Sequence, residues 1–348
     1  MLDELKLIHE RDQQNALGIA EKGWQQYRHI FNFKWRPPRE IHNVIVAGMG
    51  GSGLAAKVFQ SCPGLNIPLT IIQDYNLPRH VNQNTLLICS SYSGNTEEVL
   101  SVFKHSQSSN LPPKVRLMII TISHGGQLSE LTKKHKLPLI ELPISPSPRE
   151  GFGYQLRALF EVFEQAGLLS GGIQQLTQAS KFIKTAAESW IPTIPTKNNQ
   201  AKQIAQELMG RSVVVYSGPQ LYPAAYKWKI DINENAKQIA WYGQLPEFNH
   251  NEILGWTSQP VQKPYAVVNL LSNLDHPRVQ KRFAVTEKLL SGKMPQPIKV
   301  KASGDSLLAQ MLWTIALGDF VSLYLAILNN LNPTPVALIE KFKKALDE

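Results

Sequence analysis

The stretch "VIVAGMGGSGLAAKV", Val44 to Val58, decides how the chain is read. A β-branched apolar run leads into a glycine-rich turn and then into a helix-forming segment, the order strand, turn, helix. Gly48, Gly50 and Gly53 spell G-x-G-x-x-G, the spacing associated with dinucleotide cofactors. Such a turn exposes backbone N–H groups, and the helix N-terminus adds partial positive charge, so any phosphate would be attracted there. Asp74 lies at the end of the next strand, where a ribose-binding acid would sit. A tight turn that binds nothing, a nicotinamide site and a site for some other phosphate all fit this stretch. The rest of the chain has to choose among them.

Outward from this stretch, apolar strands and amphipathic helices alternate. "LTIIQDY" and "NTLLICSS" read as strands, "TEEVLSVFKHS" as a helix, "VRLMIITIS" as a strand, "GQLSELTKKHK" as a helix and "LPLIEL" as a short strand. Short apolar runs separated by helices imply a parallel sheet covered on both faces. "PREGFGYQLRALFEVFEQAGLL" reads as a loop running into a long helix. "WIPTIPTKNNQ", Trp190 to Gln200, is rich in Pro, Thr and Asn and reads as a linker. The alternation then restarts with strand "SVVVYSG", helix "YPAAYKWKIDINENAKQ" and strands "YAVVNLLS" and "PIKVKA". There "YSGPQL" takes the place of "GMGGSG" and has lost its glycine-rich character, keeping Gly218 alone. The expected organisation is a helical extension (1–39), a first α/β domain with the phosphate loops (40–189), the linker (190–200), a second α/β domain (201–330) and a C-terminal helix (331–348).

Composition narrows the partners. The chain has 348 residues, with Lys plus Arg at 36 against Asp plus Glu at 27, a net charge of +9 that favours anionic ligands. No basic block of five or more occurs, which argues against nucleic acid. Cys62 and Cys89 are the only cysteines and form no C-x-x-C, so a disulfide framework is not expected and a reducing cytoplasm fits. The N-terminus is charged and amphipathic, without the apolar core of a signal peptide. Leu307–Leu328 approaches membrane-spanning length, but Gln310, Asp319, Ser322 and Tyr324 interrupt it, and it reads as a buried helix with no membrane partner. No His/Cys/Asp cluster has metal-ligand spacing, so neither a metal nor another cofactor is expected.

A second loop separates the readings. "SSYSGNTEE", Ser90 to Glu98, brings Ser91, Ser93 and Thr96 to one turn, and Gly94 allows close backbone approach. Asn95 and Glu98 have capping-box spacing, so an ordinary helix cap is the plain alternative. A cap needs one hydroxyl or amide, whereas a phosphate monoester has three terminal oxygens to satisfy. Gly50, Gly51, Ser52, Ser91, Ser93 and Thr96 are therefore the expected phosphate ligands. "GMGGSG" with "SYSGNTEE" resembles a sugar isomerase (SIS) domain. Together with "SPREGFGY", "NENAK", "PEFNHNE" and "NPTPVALIEKFKKAL", the set resembles the bifunctional phosphoglucose/phosphomannose isomerases from about residue 40 to the C-terminus. The resemblance implies two SIS-type three-layer α/β/α domains, each with a mainly parallel sheet.

It also implies a chemistry. Aldose–ketose isomerisation of glucose 6-phosphate to fructose 6-phosphate, with mannose 6-phosphate also accepted, moves a proton between C1 and C2 through an enediol or enediolate. Glu234 in "DINENAKQIAW" matches the family's base. His250 in "PEFNHNE" matches the ring-opening acid–base, which in related isomerases comes from the neighbouring subunit and so implies a homodimer. Arg149 in "SPREGFGY" matches the cation beside the enediolate, although Glu150 stands where a small residue is more usual. Lys343 in "EKFKKAL" matches a lysine that assists ring opening, and helix geometry leaves Lys341 open. Two rivals remain: a non-catalytic sugar-phosphate-binding SIS protein, and a nicotinamide-dependent dehydrogenase. A sensor needs no general base, and Glu234, His250 and Arg149 argue against it.

Overall fold

A computed structural model describes residues 1–62, 64–108, 116–258 and 264–346; Val115, with which "VRLMIITIS" begins, lies outside the described residues. The chain divides into two compact units, residues 23–182, and residues 1–22 together with 183–348. Helices α1 (Leu5–Arg11) and α2 (Ala16–Lys22) belong to the second of these.

The first unit is built on a five-stranded parallel sheet of order β2-β1-β3-β4-β5. Its elements run β1 (Asn43–Ala47), α3 (Gly50–Ser61), β2 (Leu69–Ile72), β3 (Thr85–Ser90), α4 (Glu97–Ser106), β4 (Met118–Ser123), α5 (Gly126–Lys134), β5 (Leu139–Glu141), α6 (Phe152–Gln165) and α7 (Gly172–Glu188). Strand side chains alternate between faces. Ile45, Ala47, Leu87, Cys89 and Ile119 meet Val99, Val102 and Phe103 of α4 and Leu128 of α5 in one apolar cluster. α3 and α6 pack together, with Phe59 stacked edge-on to Phe163 at 4.8 Å. Every residue of β3 and β4 is buried, which is why these strands read as continuous apolar runs without alternation.

The second unit carries a four-stranded parallel sheet of order β7-β6-β8-β9, the same order as the first four strands of the other sheet. Its elements run α8 (Gln200–Leu208), β6 (Ser212–Ser217), α9 (Tyr222–Asn235), β7 (Ala240–Gln244), α10 (Glu252–Gly255), β8 (Tyr265–Leu271), α11 (Pro277–Leu289), β9 (Ile298–Lys301), α12 (Leu307–Leu328) and α13 (Ala337–Leu346). α12 is the apolar stretch of membrane-spanning length, and nearly all of it is buried, against α8, α9 and α2. Trp228 of α9 is fully buried there, donating its indole N–H to Thr314 O at 2.8 Å, and its ring lies against Gly318, where a side chain would collide with it. Burying a side chain of this size contributes roughly 1.5–3 kcal/mol.

The contacts divide the chain differently from its composition. The passage from one unit to the other falls inside α7, ahead of the expected linker at 190–200. Trp190 is only 3% exposed and meets Trp313 and Phe320 edge-on, while Lys202 Nζ donates to the carbonyls of Pro192 and Ile194 at 2.8 Å each. The Pro and Thr content suggests a tether, but the tryptophan and isoleucines give the segment an apolar face that docks. The expected extension 1–39 is likewise shared: α1 and α2 go with the second unit, and the turn Gly23–Arg28 goes with the first. Sequence reasoning passed over β7 and α11.

Candidate functional site

In the first unit, three loops meet at the C-terminal edge of the sheet. β1 and β3 are neighbours, and β2 and β4 lie on opposite sides of them, so the crevice between β1 and β3 is a topological switch point, where open α/β sheets bind ligands. The glycine-rich turn follows β1 and opens α3 at Gly50, whose φ is +48°. Gly53 packs so closely under Gly48 that a Cβ there would lie 2.3 Å from the Gly48 carbonyl. Ser52 and Gly53 return their N–H groups to Met49 O, which leaves the amides of Gly50 and Gly51 at the mouth. Ser52, beside them, is buried.

The loop after β3 is tied down by its own hydroxyls. Ser91 Oγ pairs with Thr96 Oγ1 at 2.7 Å and accepts the Gly94 N–H at 3.1 Å; Ser93 Oγ accepts the Asn95 N–H at 3.2 Å. Gly94 has φ +70°, and a Cβ there would fall 1.7 Å from Gly125 O. The capping-box alternative is not what forms. Thr96 is the N-cap of α4 without a side-chain cap bond, and Asn95 Oδ1 instead accepts the Gln127 N–H at the start of α5. The three hydroxyls are thus arranged around the turn and do not serve as a simple helix cap.

Arg149 is brought to the same edge. Tyr92, in the hydroxyl loop, donates its hydroxyl to Pro143 O at 3.0 Å, and that hydroxyl also accepts the Ser145 N–H. Gly51 faces Pro148 O, and Gly151 packs against the Tyr92 ring. Arg149 is 7% exposed, far from the solvated charge of an ordinary surface arginine. Nearby, Ser147 Oγ and both amide atoms of Gln155 are buried without a hydrogen-bond partner, polar groups that sequence reasoning did not single out. Asp74 stands just beyond β2, where its carboxylate accepts the N–H of the next residue, Tyr75, at 2.6 Å.

In the second unit, Glu234 lies in the last turn of α9, between two asparagines that hold the backbone. Asn233 Oδ1 accepts the Ala240 N–H at 2.9 Å, and Asn235 Nδ2 donates to Ser322 Oγ of α12 at 2.9 Å. Below Glu234, Lys227 is completely buried between two carboxylates, 2.6 Å from Asp231 Oδ2 and 2.6 Å from Asp319 Oδ1. Burial alone would push the Lys227 pKa down; the two carboxylates outweigh it and hold the pKa above the usual lysine range. For Asp231 burial dominates and raises its pKa. Glu234 lines an open groove of ≈ 900 Å³ with Lys237, Trp241, Val336 and Ile339.

His250 is exposed at the end of a 3-10 turn that follows β7. Glu234 precedes β7 and His250 follows it, so along the chain the two flank opposite ends of that strand. Lys341 and Lys343 lie on α13, exposed along its length. The turn after β6, "YSGPQL", holds an anion supplied by the chain: buried Asp275 packs its carboxylate on Gly218 and accepts the Gln220 N–H at 3.2 Å. Among the described residues, no group of three or more His, Cys, Asp or Glu could hold a metal ion.

Comparison with known proteins places the chain in a family. A family model described as bacterial phospho-glucose isomerase C-terminal SIS domain matches residues 197–346. The bifunctional phosphoglucose/phosphomannose isomerase of Aquifex aeolicus is 33% identical over 87% of this chain and 90% of its own length. The enzyme of that name from Caldicellulosiruptor bescii is 34% identical over 89% of this chain and 91% of its own length. Among solved structures, a glucose-6-phosphate isomerase-like protein from Thermus thermophilus superposes with a TM-score of 0.62 at 16% identity, covering 97% of this chain and 99% of the other, a likeness of fold. Identity at this level over nearly nine-tenths of the chain makes it a member of the bifunctional phosphoglucose/phosphomannose isomerase family.

Proposed function

We propose that the protein interconverts glucose 6-phosphate and fructose 6-phosphate, and also isomerises mannose 6-phosphate, without a metal and in the cytoplasm. The observation that carries this is the meeting of the Gly50–Gly53 turn, the Ser91–Thr96 loop and Arg149 at one edge of one sheet. Open amides and three hydroxyls suit the terminal oxygens of a monoester better than a pyrophosphate. The phosphate would sit on Gly50, Gly51, Ser52, Ser91, Ser93 and Thr96. Arg149 would offset the charge of the enediolate, and Glu234 would carry the proton between C1 and C2. Glucose and mannose phosphates differ only at C2, which becomes planar in that intermediate, so protonation from either face would admit both.

Ring opening requires a group that takes and returns a hydroxyl proton near neutral pH, which suits His250. The opposite placement of Glu234 and His250 across β7 supports a homodimer in which His250 serves the partner's site. On α13, Lys343 follows Ile339, the more covered of its groove-side apolar residues, by one helical turn, and this favours Lys343 over Lys341 as the second ring-opening group. The test is a coupled assay with glucose 6-phosphate and with mannose 6-phosphate in EDTA, on wild type and Glu234→Gln. Wild type should turn over, and the variant should lose roughly 10²-fold or more in kcat. A fully active Glu234→Gln enzyme would remove the carboxylate from the mechanism. Saturable micromolar binding of NAD(H) or NADP(H), read by tryptophan fluorescence, would revive the dehydrogenase reading built on Asp74.

A further inference from the structure

Lys237, the last residue of "NENAK", has a role the acid–base scheme does not use. It follows the C-terminus of α9 with φ +49°, a left-handed conformation uncommon for a residue with a side chain. Its ammonium donates to three carbonyls, Asn235 O at 3.2 Å, Asn332 O at 2.9 Å and Pro333 O at 2.8 Å. The first belongs to the last turn of α9, where a positive charge suits the helix dipole. The other two belong to the stem that leads into α13. Nitrogen with three donors at one point can serve carbonyls converging from two segments, a geometry that the planar fork of arginine reproduces poorly.

The two segments face each other across the groove that holds Glu234, with Glu234 and Lys237 on one wall and Val336 and Ile339 on the other. Beyond its stem α13 stands largely in solvent, with Leu338 81% and Phe342 62% exposed. Its placement is therefore decided at the stem. We propose that Lys237 is a positioning residue: it fixes the stem of α13 across the Glu234 groove and so sets where the lysine-bearing helix stands relative to that carboxylate. The proposal rests on the reading of Glu234 as the base.

Its test pairs kinetics with hydrogen exchange in the full-length protein. In Lys237→Met, kcat for glucose 6-phosphate should fall roughly 10- to 100-fold while KM changes little, the pattern of a misplaced catalytic group. Amide exchange across 337–346 should accelerate, with β6 and β8 as protected as in wild type. Lys237→Arg should recover part of kcat. Wild-type kcat in Lys237→Met, a lowered kcat with unchanged exchange at 337–346, or protection lost equally in β6 and β8 would each overturn the proposal. Glu234→Gln measured alongside separates the two readings. If that variant is fully active the base assignment falls, whereas accelerated exchange in Lys237→Met still reports the clamp.

Discussion

At the scale of single residues, the neighbours of Glu234 show how a carboxylate on a helix end is held in place. Asn233 and Asn235 send their side chains to Ala240 and Ser322, so the turn between them is fixed from both sides. Local sequence makes such a glutamate an ordinary solvated residue, and only the motif around it says otherwise. The asparagines' partners lie in β7 and α12, which no local pattern identifies. Cys89 gives the opposite case, a reactive residue type made inert. It lies on β3 at 0% exposure, and burial pushes its thiol up to about 12. Burial therefore disfavours the thiolate at neutral pH, and thiolate is the reacting form. Cys89 should therefore resist Ellman's reagent in the native protein and react once the protein is unfolded in guanidinium. Rapid modification of Cys89 in the native state would contradict its placement.

At the scale of elements, α9 matters most, because it carries Glu234 and is bound to α12 through Lys227, Asp231 and Asp319. Removing the cation strands a buried carboxylate, so Lys227→Met should destabilise the second unit by about 3–5 kcal/mol at neutral pH. The pH dependence has a definite sign. The pKa of Asp231 is raised, so acidification through that value neutralises the stranded group. The gap between wild type and variant should thus narrow as pH falls below neutrality. Lys227's own contribution, from a raised pKa, is complete below about 10.5 and is lost only as pH rises further. Urea unfolding of both proteins at pH 7.5 and at mildly acidic pH, followed by tryptophan fluorescence from buried Trp228, measures this, and a gap that widens on acidification would refute the assignment. The elements legible in the sequence were those buried on both faces or strongly periodic, such as β3, β4 and α12. β7 escaped because it is a short edge strand with Trp241 49% exposed, so it lacks the apolar run that marks its neighbours. The 190–200 stretch misled because composition reports turn preference, while docking depends on where Trp190 finds Trp313.

At the scale of the whole molecule, two sheets share one strand order but have diverged at the turn after their first strand. In the first sheet that turn is glycine-rich and leaves amides open; in the second it is closed by the carboxylate of Asp275. The difference in glycine content between the two turns, four in "GMGGSG" against Gly218 alone in "YSGPQL", is visible in the sequence, whereas the carboxylate that closes the second turn comes from a loop more than fifty residues away. The position of His250 was not readable, because which edge of the sheet a loop occupies follows from strand direction. Glu234 and His250 flank the same parallel strand, and the proposed homodimer, in which His250 serves the partner's Glu234, makes a prediction at this scale. Glu234→Gln and His250→Ala should each be inactive alone. Mixed in equal amounts and allowed to exchange subunits, half the dimers become hybrids, and each hybrid has one site with an intact glutamate and an intact histidine. Activity should then return to about a quarter of the wild-type level, the fraction fixed by a twofold-symmetric dimer. If the mixture stays inactive after mass spectrometry of the intact assemblies shows that hybrids have formed, His250 does not cross to the partner's Glu234, and ring opening belongs to another group.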